Sequence, residues 1–288
     1  MPLLSPPPRL LLETDARLSA WAAERKLTAW GYEFVRFGVK QAWACLFGGA
    51  MLALILGTYW LYPQDAALAR YDFLVLGALA LQLLLIATRL ETLDEAKVIL
   101  VFHVAGTAME IFKVSQGSWI YPESSVLRLA GVPLFSGFMY AAVGSYLARA
   151  WRLFDMHFSH YPPFWTTLVL AAAAYVNFFS HHFLPDIRWL LFAAAAVLYG
   201  RCWVYFHPAA KARKMPLLLG FLLVSLFIWL AENIGTFGAA WRYPDQMAGW
   251  TVVPVAKLGS WFLLMLLSFV LVSAVNRRSR RAVLQKSQ

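Results

Sequence analysis

Eight apolar stretches, separated by short segments in which arginine and lysine collect, constrain this chain more than any other feature. A helix rises about 1.5 Å per residue and the hydrocarbon core of a bilayer is about 30 Å thick, so a spanning segment needs about 17 to 25 largely uncharged residues. The clearest stretches are Gln41 to Tyr62, Pro133 to Ala148, Phe164 to Leu184 and Met215 to Glu232. Phe73 to Thr88 and Trp189 to Phe206 are shorter or carry a charge near one end. Val98 to Val114 holds a lysine and a glutamate, and Val253 to Val275 holds a lysine. With 61% hydrophobic and 14% charged residues, and a mean hydropathy of +0.60, lipid must be the solvent for most of the surface. The fold expected is an all-α polytopic membrane protein of eight transmembrane helices.

Positive loops are retained on the cytoplasmic side, so the basic residues orient the spans. With the N-terminus inside, the inner segments carry Arg17, Arg25, Lys26, Arg36, Lys40, Arg89, Lys97, Arg149, Arg152, Lys211, Arg213, Lys214, Arg277, Arg278, Arg280 and Arg281. The outer loops hold Arg70, Arg128, Arg188 and Arg242. An odd number of spans would set the terminal basic clusters on opposite faces and break the bias. Both ends are therefore expected inside, in a bacterial cytoplasmic (inner) membrane. The net charge of +10 follows from this topology, and without a basic patch on a soluble face no nucleic-acid partner is expected.

Residues 1–37 read as a cytoplasmic leader. Its start is rich in proline, with no basic segment before an apolar core and cleavage site, so a cleaved signal peptide is not expected. Within it Leu27, Trp30, Phe34 and Phe37 recur at helical spacing, as in a helix lying among headgroups, or equally in a plain helical lead-in to the first span. Thr92 followed by Glu95 has capping-box spacing and predicts the start of the third span. Cys45 and Cys202 lack the spacing of a disulfide framework or a zinc site.

Glu110, Trp119, Tyr121 and Pro122 are matched by Glu232, Trp241, Tyr243 and Pro244 at one constant offset, as are Gly137 by Gly259 and Trp43 by Trp165. Four spans separate each pair, so the halves, 38–160 and 161–276, have the same orientation. This predicts two parallel four-helix repeats about an axis along the membrane normal, followed by a basic cytoplasmic tail at 277–288.

Glu110 lies roughly 20 Å along its helix from Lys97, at hydrocarbon depth. His103, Gly106, Thr107, Glu110 and Lys113 follow at steps of three and four and form one polar stripe, which should face protein. In the second half Glu232 and Asn233 reach comparable depth and Lys257 enters the last span. Asn177, Ser180 and His181 share a face of the fifth span. One outward polar cavity is expected to gather these groups, with Glu110 and Glu232 as catalytic candidates. His103, Lys113, Trp119, Tyr121, Asn177, His181, Asn233, Trp241, Tyr243 and Lys257 are the candidate substrate contacts. Ionisable groups at this depth usually mark a site, a conduit or a packed ion pair. The plainer alternatives are a Glu110–Lys113 salt bridge one turn apart, a lysine at 257 reaching for the surface, and tryptophans and tyrosines that belong to an interfacial belt.

Neither a metal nor a cofactor is expected: six histidines do not supply the boxes of a membrane di-iron centre, and hydrolase, nucleotide-loop and dinucleotide motifs are absent from the sequence. The segments GTAMEIFKVSQGSWIYPE, AGVPLFSGFMYAAVGSY and AENIGTFGAAWRYPD resemble an uncharacterised bacterial integral membrane family catalogued as domain of unknown function 817, over nearly the whole chain after the leader. That resemblance implies a membrane protein and supplies no catalytic residue. A weaker similarity runs to carotenoid cyclase and hydratase membrane proteins, through Glu110, Gly117, Trp119, Tyr121, Gly131 and Pro133. Where the cyclases have paired acids after that proline, this chain has Leu134 and Phe135. The function expected first is a membrane-embedded enzyme doing redox-neutral acid/base chemistry on a lipid or isoprenoid. A small-solute transporter and a non-catalytic scaffold are the alternatives, and the bilayer is the partner in each.

Overall fold

The computed structural model describes residues 26–286. The proline-rich start, the reading that no signal peptide is cleaved there, and Arg17 and Arg25 lie outside them. Nine α-helices run through the described residues: α1 (Lys26–Ala44), α2 (Leu46–Leu61), α3 (Arg70–Ala87), α4 (Leu93–Ser115), α5 (Phe135–Leu153), α6 (Phe164–Ser180), α7 (Arg188–Tyr199), α8 (Leu217–Phe237) and α9 (Lys257–Lys286). Each of the eight apolar stretches overlaps one of them. By length and composition α3, α4, α8 and the Lys257–Val275 part of α9 can cross a bilayer unaided, and α1 with α2, bent by 68°, passes the same test only when the two are taken together as one broken span or re-entrant loop. Leu83, Val104, Val176, Val197 and Phe227 point outward from the bundle, the apolar exterior that lipid requires.

Local chemistry explains several of these boundaries. The Thr92 side chain accepts from the Glu95 N–H at 3.2 Å while the Glu95 carboxylate accepts from the Thr92 N–H at 2.8 Å, so the predicted capping box does start α4. The first predicted span, from Gln41, is corrected at its start: Gln41 to Ala44 belong to α1, and the chain bends at Cys45 before α2. Trp189 to Phe206 is also corrected. Its helix stops at Tyr199 after 12 residues, about 18 Å, too short to span alone. Trp203–Phe206, aromatic and β-branched, instead forms strand β4, which pairs antiparallel with β3 (His157–Ser159) and β5 (Arg213–Pro216). Open sheet edges are not tolerated against lipid, so this sheet marks a wet end of the bundle. At the other end a two-residue pair, β1 (Arg128–Leu129) with β2 (Val132–Pro133), leads into α5.

Helix α5 stands at the centre, packed by α1, α2, α3, α4 and α9, while α6, α7 and α8 gather around α9. Its Gly137, Ala141, Gly144 and Ser145 are buried and let neighbouring helices approach closely. This central position also explains why α5 carries basic residues. Arg149, expected as a free inner-loop charge, is fully buried and pairs with Glu91 at 3.2 Å; Arg152 pairs with Glu95 at 3.2 Å. The tail expected from residue 277 continues as helical backbone of α9 to Lys286.

Candidate functional site

The site lies where the ends of α4 and α8 meet the long connections 116–134 and 238–256. Glu110 of α4 is 4% exposed and accepts three hydrogen bonds: from Trp119 Nε1 at 2.7 Å, from the Tyr121 hydroxyl at 2.6 Å and from the Tyr140 hydroxyl of α5 at 2.8 Å. Glu232 of α8 is 3% exposed and accepts from Trp261 Nε1 of α9 at 2.6 Å and from the Tyr243 hydroxyl. All five donors are neutral. Burial pushes the Tyr121 and Tyr243 phenols well above the ordinary tyrosine range and the adjacent carboxyls add to it, so both hydroxyls keep their protons and donate.

The two connections are joined to each other. Ile120 and Arg242 exchange both backbone hydrogen bonds at 2.9 Å, and Trp119 packs edge-on to Tyr243 with ring centroids 5.9 Å apart. Arg70 at the start of α3 fastens the same end: its guanidinium pairs with Glu123 at 2.6 Å and donates to the Gly238 and Ala239 carbonyls. Asp72 accepts from the Val126 and Leu127 N–H groups. The loops are therefore held as a rigid rim around the two carboxyls.

Two cavities meet at this rim. One, of about 870 Å³, is apolar and extends from Glu110 and Glu232 past Met139 and Phe221 to Phe34 and Phe37 of α1. The other, of about 300 Å³, is the more polar of the two: Lys113, His181, His182 and Lys257 line it beside Met109, Phe178 and Leu263. Trp119, Tyr140, Glu232, Tyr243 and Trp261 line both. They form the wall between an oily compartment and a charged one.

Of the sequence-predicted residues, Lys113, Trp119, Asn177, His181, Tyr243 and Lys257 come together with Glu232 around the polar cavity, and Glu110, Tyr121 and Trp241 line the apolar one. The single cavity expected to hold every candidate is thus divided. His103 lines neither and packs on Phe138, with ring centroids 4.4 Å apart. Asn233 also lines neither; its amide donates to the Trp229 carbonyl and accepts from the Val253 N–H. The Asn177 side chain donates to Asp186 and accepts from the Ile187 N–H, clasping the turn between α6 and α7. Glu110 and Lys113 form no salt bridge: Lys113 Nζ lies 3.2 Å from His181 Nε2 and 2.8 Å from His182 Nε2. Sequence reasoning missed Tyr140 and Trp261. Each follows one of the matched glycines, Gly137 and Gly259, within one turn, and a lone polar ring in an apolar helix there was the available signal. Among the described residues no group of three or more His, Cys, Asp or Glu side chains is arranged to hold a metal.

Helices with an apolar, lipid-facing exterior define an integral membrane protein, in which two buried carboxyls border an apolar cavity and one of them, Glu232, also borders the second. The chain belongs to the family described as "Protein of unknown function (DUF817)", whose model matches residues 33–269. It is 44% identical over 245 residues to the uncharacterized protein YoaT of Bacillus subtilis (strain 168), covering 85% of this chain and 92% of that one. Among solved structures it is similar to MvINS, a mycobacterial Insig homolog from Mycobacterium vanbaalenii, with a TM-score of 0.44, 16% identity, and coverage of 63% of this chain and 93% of the other. A cross-linked trimer of an MvINS cysteine variant matches with a TM-score of 0.45 and 16% identity over 65% of this chain and 96% of that one.

Proposed function

We propose that this protein is a membrane-embedded enzyme that moves a proton on an elongated apolar molecule, a lipid or an isoprenoid, held in the 870 Å³ cavity. The observation that carries the reading is that two carboxyls, Glu110 and Glu232, stand at one end of an otherwise apolar, aromatic-lined space. Glu232, which also borders the polar cavity, suits the donor role, because a proton can be resupplied to it from that side. Glu110, already accepting three hydrogen bonds, suits the acceptor role. A proton from Glu232 would add to a carbon–carbon double bond and Glu110 would take one from a neighbouring carbon; passage of that proton from Glu110 back to Glu232, which lies within its electrostatic reach, would complete a redox-neutral isomerisation. The rings of Trp119, Tyr121, Tyr140 and Trp261 face the cavity where positive charge would develop.

The reading places the protein in the bacterial inner membrane with eight crossings and both ends inside. A helix at each apolar stretch supports the count, α7 being the short one at 12 residues. Two like-oriented halves are supported by the Ile120–Arg242 pair, whose members are separated by the same offset as Glu110 and Glu232. The test compares lipid and pigment profiles of strains overexpressing wild type, Glu110→Gln and Glu232→Gln. Changed profiles in wild type alone are expected; identical profiles in all three sink the reading.

A small-solute transporter is the second reading, favoured by one observation: two cavities abut a shared wall of side chains. Reconstituted vesicles would then show solute-dependent or pH-dependent flux that wall variants abolish.

A further inference from the structure

The polar cavity has a charge imbalance that the carboxyl chemistry does not use. Lys113, Lys257 and Arg188 line it against one carboxyl, Glu232. Arg188 is already paired with Asp186 at 2.5 Å. Neither lysine has a carboxylate within ion-pair reach among the described residues. Lys113, 6% exposed, has the two imidazole nitrogens as partners and lies over the Phe178 ring at 4.4 Å. Lys257 lies over the rings of Tyr243 at 4.3 Å and Trp119 at 5.6 Å. The Glu232 oxygens are turned instead to Trp261 and Tyr243.

Ring faces and imidazole nitrogens only partly replace the water that an ammonium gives up, and Asp186, Glu232 and Asp245 act on the two lysines only from beyond ion-pair reach, so an anion in direct contact would be favoured. Lys257 is also the first residue of the 30-residue α9, whose positive end adds to the field there. A water needs about 10–15 Å³ of such space, so a cavity of about 300 Å³ holds an oxyanion with several waters.

We propose that this cavity binds an oxyanion of phosphate chemistry, with Lys113 and Lys257 as its direct contacts. Two sources share that chemistry. A phosphate at the end of an apolar chain would seat its head here while the chain occupies the 870 Å³ cavity across the shared wall; free phosphate would use this cavity alone. The site needs only the cavity and the two lysines, and so stands apart from the proton chemistry proposed above.

The test titrates the full chain, purified in detergent, with inorganic phosphate and separately with monododecyl phosphate, following heat of binding and tryptophan fluorescence, since Trp119 lies under Lys257. Saturable binding of at least one probe to wild type is expected. Affinity should fall roughly tenfold or more in Lys113→Gln and in Lys257→Gln, and less in the corresponding arginine variants. Monododecyl phosphate binding at least tenfold tighter than phosphate assigns a lipid headgroup; comparable binding of both assigns a free anion. Absence of saturable binding of either probe to wild type overturns the proposal, whatever the variants do. So does binding that neutral substitution of both lysines leaves unchanged. Carboxyl variants with unaltered lipid profiles would remove the proton-transfer reading and leave this one standing.

Discussion

Ile120 and Arg242 face each other across an antiparallel bridge, each donating its N–H to the other's carbonyl at 2.9 Å. Residues so paired have Cα atoms about 5.5 Å apart. In a background with Cys45 and Cys202 changed to alanine, Ile120→Cys with Arg242→Cys should be joined efficiently by a short bifunctional thiol reagent. The product is read as a shifted fragment after cleavage between the positions. Absence of joining in a protein that retains its fold would mean that the two connections are not paired.

The Tyr140 hydroxyl donates to a carboxyl that is almost wholly out of water, and a hydrogen bond is worth roughly 0.5–1.5 kcal/mol to a neutral acceptor and up to about 3 kcal/mol to a charged one. Tyr140→Phe should lower unfolding stability in detergent by about that amount. An unchanged unfolding midpoint would show that Glu110 is held by Trp119 and Tyr121 without it.

Glu91 and Arg149 form an ion pair with both side chains fully buried, and Ser145 donates to the same Glu91 oxygen at 2.9 Å. Truncating one partner leaves an uncompensated buried charge. Glu91→Ala or Arg149→Ala should each cost roughly 3–5 kcal/mol, whereas Glu91→Leu combined with Arg149→Met should cost much less than the sum. Thermal unfolding of the three variants decides it, and simple additivity would refute the coupling.

Gly106 is the contact point of α4 with Tyr140: a Cβ added there would lie 2.6 Å from the Tyr140 side chain. Gly106→Ala should therefore destabilise by roughly 1–3 kcal/mol through overpacking. It should also disturb the Tyr140–Glu110 bond, so Gly106→Ala and Tyr140→Phe together should cost less than the two losses added. Strict additivity would count against that link.

Burial alone would raise the Asp186 carboxyl, but the Asn177 amide and the Arg188 N–H and guanidinium outweigh it and hold the group below the ordinary aspartate range. A carboxyl with a folded value below its unfolded value, about 3.9, adds stability above that pH and loses it as pH falls through the folded value. Asp186→Asn should therefore destabilise at pH 7, with the gap from wild type narrowing as the pH is lowered below about 4. Melting curves across that range test the sign; a gap that widens on acidification would reverse it.

Much of the fold was legible because apolar run length is a local property: every stretch read as a span overlaps a helix, and Thr92 with Glu95 marks the start of α4 within one turn. The bend at Cys45 was not, since no proline stands there and the turn follows from how α1 packs on α5. Strand β4 was hidden because Trp203 to Phe206 is as apolar as the helix before it, and its partners lie far off in sequence. At the site, Glu110 and Glu232 stood out as acids in oil, whereas Trp119 and Tyr121, expected as substrate contacts or belt aromatics, donate to Glu110. Asn177 lines the smaller cavity while also clasping a turn, and Asn233 lines neither cavity, because a polar side chain near a helix end serves a turn as readily as a cavity. Arg149 misled, its position near a loop concealing a partner a whole helix away.

The position of α1 bears on how anything reaches the interior. Phe34 lines the larger cavity and is also 63% exposed on the outer flank of the molecule, so the cavity comes to the surface beside a helix set at an angle to the next. On the reading proposed above, a hydrocarbon chain would enter sideways from one leaflet without meeting water, past a helix that would itself lie among the headgroups. Access would then depend on bilayer order and thickness, coupling the proposed site to the physical state of the surrounding lipid.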